Sequence, residues 1–456
     1  MGLIKKKSRE EAEGQETGTR IEFWTLLKLV QEHISSSYSN EYLRVEDKNL
    51  FIPYVEDYVR KGDYIVFDEK TGREWPLEET VENICQEMWQ FSFLTPYLTV
   101  LADQYEEINV NAWNDVAYTR RDGTIEKSKV HFHSPEHAQD IVSRLLRVSG
   151  TTIDKARPIA QGQLEGNNRI TAMITPILDR DVGVAISIRL LHNDKMSMEE
   201  LVSRDMLTGD MALLLDTLVH YGVSVVFAGA TSTGKTTLMN ALLNQMPDTK
   251  RIFTIESGAR ELNFVHKDEN GKITSNVVHT LSTSANGTSN EIKQEDLVIA
   301  SLRYNPTIVV VGEMRDVEAY AAIEAAMTGH TVVSTVHSGA GKSAYTRISL
   351  LTQKKFPIAF ETSMLQCAEA FPVVVFTGLL EDNSRRVLDI TEAVTTDEGK
   401  IVYRQLYHFE IEDNSINEKG QAVVSGKFVR DNPISPRLRQ TLIEHGVPKK
   451  KLAQFC

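Results

Sequence analysis

Cysteine is scarce in this 456-residue chain: Cys85, Cys367 and Cys456 stand far apart and form no CxxC pair. That usage argues against a disulfide framework and against a four-thiolate zinc knuckle, and it suits a reducing compartment. An excess of positive charge is also missing. Fifty Lys and Arg face 63 Asp and Glu, a formal charge of −13, which argues against a surface built on phosphate-backbone binding and against nucleic acid as a direct ligand. No run approaches the roughly 18–20 apolar residues needed to cross a bilayer. The start, MGLIKKKSREE, is basic but lacks the apolar segment of a signal peptide. Its Met-Gly opening is followed by Lys6 where a myristoylation signal has Ser or Thr. The expected location is cytoplasmic, with any membrane attachment made through a partner. No internal repeat or low-complexity block is present.

The length predicts two or three domains, and a composition of 41% hydrophobic and 25% charged residues is ordinary for a globular protein. Residues 1–20 are charged and aperiodic and read as a disordered tail. Helical apolar spacing begins at Phe23-Trp24-Thr25-Leu26-Leu27-Lys28-Leu29-Val30, and Leu77-Glu78-Glu79-Thr80-Val81 opens a second helix. Residues 21–95 are therefore expected to form a small helical extension. Residues 96–190 change to short alternating segments around Ile108-Asn109-Val110 and Val116-Ala117-Tyr118, a helix over 136–149, and strands at 169–174 and 184–189. They read as an α+β domain. A polar linker spans 191–205. From 206 to 456 strand and helix signals alternate, with strands at 224–228, 251–255, 307–311 and 331–335, which predicts an α/β domain with a mostly parallel sheet. Further short strands fall at 386–390 and 402–409.

The apolar run Val223-Ser224-Val225-Val226-Phe227-Ala228 leads directly into Gly229-Ala230-Thr231-Ser232-Thr233-Gly234-Lys235-Thr236, and Thr237 continues into a helix. Strand, Gly-rich loop and helix in that order are what a P-loop requires. Gly229 and Gly234 let successive N–H groups face phosphate at a helix N-terminus. Lys235 is placed to reach the β- and γ-phosphates of ATP, and the Thr236 hydroxyl to hold Mg²⁺. A second glycine-rich stretch, His337-Ser338-Gly339-Ala340-Gly341-Lys342-Ser343, has Val336 where the first glycine must stand, so it reads as a loop. The run Thr307-Ile308-Val309-Val310-Val311-Gly312-Glu313 is a buried strand ending at a carboxylate, the position of an acid that acts on water or metal in this kind of fold.

Taken in order, GATSTGKTT (229–237), RIFTIES (251–257) with Glu261, LRYNPTIVVVGEMRD (302–316), and TGH (328–330) with STVH (334–337) resemble the ATPase superfamily of type II and type IV secretion, pilus motors and conjugation. Upstream, EEINVN (106–111) and the stretch from Asn168 to Leu190 resemble that superfamily's N-terminal domain. Within that superfamily the sequence most resembles the tight-adherence pilus (CpaF-type) and conjugation branch. The resemblance implies a RecA-like P-loop C-terminal domain, an α+β N-terminal domain and a helical extension. It assigns Glu313 as the catalytic carboxylate, Glu256 and Glu261 to positioning water or Mg²⁺, and His330 and His337 to sensing the γ-phosphate. Arg169 and Arg189 would contact nucleotide phosphates, with Arg303 and Arg315 as lesser candidates. Glu256 and Glu261 are five residues apart where the family spacing is four. The polar insert 265–295 has no counterpart in the pattern.

The function implied is an ATP-hydrolysing homohexameric motor that acts on an inner-membrane platform protein. A RecA-like nucleic-acid translocase is the main rival, opposed by the acidic balance and the lack of a basic–aromatic stripe. A non-hydrolysing nucleotide scaffold is opposed by the intact Lys235, Thr236 and Glu313. The lack of a four-cysteine module argues against the type II branch that carries one.

Overall fold

The computed structural model describes residues 18–37, 50–67, 72–191, 196–258, 260–283, 291–417 and 420–456. The expected disordered tail therefore lies outside the described residues except for its last three positions, as do 192–195 of the linker and 284–290 of the insert. The chain divides into two compact units, Met1–Ala160 with Ile170–Leu190 and Gln161–Arg169 with Leu191–Cys456.

The first unit opens with β1 (Thr19–Ile21), α1 (Phe23–Ser37), α2 (Ile52–Lys61), β2 (Tyr64–Val66) and α3 (Leu77–Trp89). In α1 the apolar positions Leu26, Leu27, Val30 and Ile34 fall on one stripe and are buried against Val55 and Val59 of α2 and Val81 and Ile84 of α3. The helix start is held by Glu22, whose carboxylate accepts the N–H groups of Trp24 and Thr25. The Tyr-containing segment Ile52–Lys61, which carries no clear periodicity, forms α2 with Pro53 in its first turn. The strands β1 and β2 pair in parallel, a small ribbon that short apolar segments do not announce.

Six strands follow: β3 (Tyr105–Ala112), β4 (Asp115–Arg120), β5 (Ile125–Lys127), β6 (Ile159–Gln163), β7 (Arg169–Ile174) and β8 (Val184–Arg189), in the order β5-β4-β3-β8-β7-β6. The stretch Gln161–Arg169, from within β6 to the first residue of β7, groups with the second unit. Helix α4 (Pro135–Val148) starts where Ser134 accepts the His137 N–H and Pro135 sets the first helical φ, and it buries Ile141, Val142, Leu145 and Leu146.

The second unit is RecA-like. Its helices are α5 (Met198–Ser203), α6 (Gly209–His220), α7 (Lys235–Asn244), α8 (Gln294–Ser301), α9 (Glu318–Met327), α10 (Gly341–Gln353), α11 (Phe360–Ala370) and α12 (Pro436–Glu444). Its strands are β9 (Val225–Gly229), β10 (Ile252–Ser257), β11 (Val277–Ser282), β12 (Ile308–Met314), β13 (Thr331–His337), β14 (Val373–Leu379), β15 (Arg385–Thr395), β16 (Ile401–Ile416) and β17 (Ala422–Arg430). They form one sheet in the order β11-β10-β12-β13-β9-β14-β15-β16-β17. The first six are parallel and the last three antiparallel.

Unbroken apolar runs make sense in such a sheet because both faces are covered. Val225 and Phe227 enter one core with α6 and α7, whereas Val226 and Ala228 enter the other with α9, α10 and α11. Val310 and Val311 split the same way. Burying each Val or Phe fully contributes about 1.5–3 kcal/mol, so the central strands are the firmest part of the unit. The polar insert supplies β11, which pairs in parallel with β10 and adds an edge strand.

Candidate functional site

The parallel strands β9, β12 and β13 end side by side, and their carboxyl ends carry the residues that the sequence singles out. Val333 pairs with Val225 and His337 with Gly229, while Ile308 pairs with Thr331. This register brings Gly229, Glu313 and His337 to one edge of the sheet.

The loop 230–234 is built by conformations that few residues adopt. Gly229 has φ 154°, and a Cβ there would sit 2.5 Å from the Thr377 carbonyl and 2.6 Å from Thr233 Oγ1. Ser232 (φ 60°) and Gly234 (φ 89°) are both left-handed. Ala230, Thr231 and Ser232 are exposed, while Thr233 is buried, its hydroxyl 2.9 Å from that of Thr377. Helix α7 begins at Lys235 with no side chain capping its N-terminus, so the N–H groups of its first turn remain for an anion. Thr236 and Thr237 lie in that turn, half-buried and exposed respectively.

Lys235 is only 6% exposed. Its Nζ donates to the Ala230 carbonyl at 2.5 Å and lies 3.5 Å from His337 Nδ1. Burial, aided by Arg315, lowers its pKa, and the Glu313 carboxylate opposes that shift. His337 Nε2 approaches Glu313 Oε1 to 3.1 Å, close but not aligned as a hydrogen bond, so that oxygen remains buried without one. Arg315 Nη2 holds the other oxygen, Oε2, at 2.5 Å. The His337 pKa is lowered, first by burial and then by the Lys235 charge.

Glu256, at the end of β10, is 5% exposed. Its Oε1 accepts the N–H groups of Glu261 and Leu262 at 2.7 and 2.9 Å, whereas Oε2 is buried without a hydrogen bond. Burial is the largest cause that pushes its pKa up to about 7, with Glu261 adding to it. Glu261 itself pairs with Arg169, whose Nη2 lies 3.1 Å from Oε1 and also donates to the Ser257 carbonyl at 3.3 Å. Arg189 ends β8 in the first unit, exposed. Arg303 belongs to a short turn before β12, away from the strand ends named here.

His330 stands apart from the cradle. It precedes β13 at the end opposite the cradle, and seven strand residues at about 3.3 Å each place it roughly 23 Å from His337. It lines a separate cavity of about 260 Å³ with Glu392, Arg437 and His445, so within one chain it lies out of reach of a phosphate bound at this cradle. Sequence reasoning also missed three side chains that surround the loop: Thr377 of β14, Met206, and Arg385 of β15. The Arg385 Nε donates to the Ser232 carbonyl at 2.8 Å. Met206 Cε would lie 2.9 Å from a Cβ on Gly234. The Thr377 and Arg385 contacts arise only once β14 pairs with β9 and β15 with β14.

The family described as Type II/IV secretion system protein matches residues 94–392. The chain belongs to that family. Among relatives, the uncharacterized protein MJ0900 of Methanocaldococcus jannaschii is 30% identical over 200 residues, which are 44% of this chain and 34% of that protein's own length. The type IV secretion system protein PtlH of Bordetella pertussis is 26% identical over 311 residues, 62% of this chain and 89% of PtlH. The crystal structure of the VirB11 ATPase from the Brucella suis type IV secretion system, in complex with sulphate, is 23% identical. It covers 66% of this chain and 96% of VirB11 with a TM-score of 0.34. The matched span holds the cradle, Glu256, Glu313, His337 and Arg385.

Proposed function

We propose that this protein hydrolyses ATP and drives a membrane-associated secretion, pilus-assembly or conjugative transfer machine. The observation that carries the reading is the bridge His337 makes between Lys235 at the uncapped start of α7 and Glu313 at the end of β12. A phosphate-binding cation and a carboxylate are thereby held at one loop whose glycines exclude any side chain.

The residues present fit Mg²⁺-ATP. The left-handed turns at Ser232 and Gly234, the tight wall at Gly229 and the buried Lys235 make a cradle that admits phosphate oxygens to backbone N–H groups. Thr236 and the buried, unpaired Oε2 of Glu256 would hold Mg²⁺, which when bound neutralises charge on the β- and γ-phosphates. Lys235 would exchange the Ala230 carbonyl for phosphate oxygen. Glu313, with one oxygen kept by Arg315, would orient the attacking water and take its proton through Oε1. His337, half-buried and kept neutral by its surroundings, would link the Glu313 carboxylate to the occupied cradle. Arg169 and Arg189 are the candidates for further phosphate contacts, since a guanidinium stabilises the charge that phosphoryl transfer develops.

By family resemblance, the working form is a homohexamer in which the N- and C-terminal domains close on nucleotide and reopen after hydrolysis. Its partner would be a platform protein at the cytoplasmic face of the inner membrane, and its branch the CpaF-type or conjugation branch. No helix among the described residues is long and apolar enough to cross a membrane. The test is ATP turnover by purified protein, with and without DNA, on samples sized by light scattering. Mg²⁺-dependent hydrolysis that ignores DNA and accompanies a six-subunit species supports the motor. Strong stimulation by DNA in a monomer or dimer would replace it with a translocase.

A further inference from the structure

We propose that Arg385, outside every motif that marks the site, is a positioning residue for the phosphate cradle. The proposal rests on the nucleotide-binding reading above. The loop 230–234 is anchored on one side by buried hydroxyls: Thr233 and Thr377 meet at 2.9 Å, and Thr377 donates to the Ala228 carbonyl at 3.3 Å. That anchor fixes Thr233 but leaves Ser232, one residue earlier, exposed and in a left-handed conformation that L residues avoid. Arg385 supplies the second anchor. It is the first residue of β15, and its Nε donates to the Ser232 carbonyl at 2.8 Å.

The consequence follows from peptide geometry. The Ser232 carbonyl and the Thr233 N–H belong to one planar trans peptide and point in opposite directions. Holding the carbonyl toward Arg385 therefore aims the Thr233 N–H away from it, toward the side on which the proposed phosphate would lie. The Arg385 Cδ also lies 3.5 Å from the point a Gly234 Cβ would occupy, so the side chain covers both left-handed residues of the loop. Because β15 is joined to β14 and β14 pairs with β9, the brace stands on the same sheet that carries the loop.

The test compares Arg385→Met and Arg385→Lys with the unaltered protein. Amide hydrogen exchange over 230–236 is read without nucleotide, and ADP affinity is read by titration with a fluorescent ADP analogue. Arg385→Met should speed exchange of the nucleotide-free loop and weaken ADP binding roughly five- to tenfold, the net worth of one ordinary hydrogen bond at an exposed site. The thermal midpoint should hold. Lysine can still donate to the Ser232 carbonyl and should recover most of both effects. Unchanged exchange in Arg385→Met overturns the proposal, and if ADP binding alone weakens, Arg385 touches the ligand instead of the loop. If the unaltered protein binds no ADP, the nucleotide reading falls by itself, whatever the exchange shows.

Discussion

Glu313 and Arg315, two residues apart at the end of β12, form an ion pair with Arg315 Nη2 2.5 Å from Glu313 Oε2. The arginine is well exposed and the carboxylate only 20% so, which makes the pair worth little to stability. Its value lies in orientation: with Oε2 fixed, Oε1 faces His337. We expect Arg315→Ala to lower kcat about tenfold through lost positioning while ADP affinity stays within a few-fold. An unaltered kcat would remove Arg315 from the site's chemistry.

The two ends of the His337 bridge should separate in kinetics. Glu313→Gln keeps the shape of the side chain but cannot take a proton, so ATP affinity should hold within a few-fold while turnover falls roughly 10²-fold or more. Lys235→Ala removes the buried ammonium of the cradle and should weaken nucleotide binding itself. Equal losses of binding and turnover in Glu313→Gln would contradict its role as base, and intact affinity in Lys235→Ala would contradict the cradle.

Glu256 carries a pH signature. Burial pushes its carboxyl up to about 7, so the folded protein prefers the protonated form. The stability that this form contributes is complete below the ordinary carboxyl value and is lost as pH rises from about 4.5 to about 7. Glu256→Gln is neutral throughout and its remaining oxygen can still accept the Glu261 and Leu262 N–H groups. In denaturant melts with chelator present, we expect the variant to gain on the unaltered protein across that window. The gain should level off above it at no more than about 3 kcal/mol. A difference that does not vary with pH would show that Glu256 is not held neutral.

Much of this site was legible because its parts are local. The strand, loop and helix of the cradle are contiguous from Val225 to Asn244, and a strand that ends in Glu313 can be read from its own apolar run. His330 and His337 look alike in sequence, since both flank the same strand. Only register tells them apart, because a parallel strand sends its two ends to opposite edges of the sheet. Arg385 and Thr377 left no trace, since their contacts join residues about 150 positions apart through strand pairing. The strand β11 hid in the polar insert because an edge strand buries little apolar surface: every residue of Val277–Ser282 is only half-buried.

The cysteines give a readout of the second unit's core that is independent of nucleotide. Cys367 is fully buried in α11, its Sγ 3.2 Å from the Ser349 hydroxyl, and burial pushes its thiol up to about 12. Thiolate is the reactive form, so at pH 8 this residue is protected twice, by exclusion of reagent and by protonation. Cys85 is buried among α1, α2 and α3 of the first unit, whereas Cys456 is exposed. A chromogenic disulfide reagent should therefore modify one thiol quickly in the native protein and the other two only on unfolding. Replacing Cys456 by Ser should abolish the fast phase. Because Cys85 and Cys367 belong to different units, their slow phases in denaturant would report the opening of each unit separately. A fast phase that survives Cys456→Ser would mean that one of the two cores opens readily under native conditions.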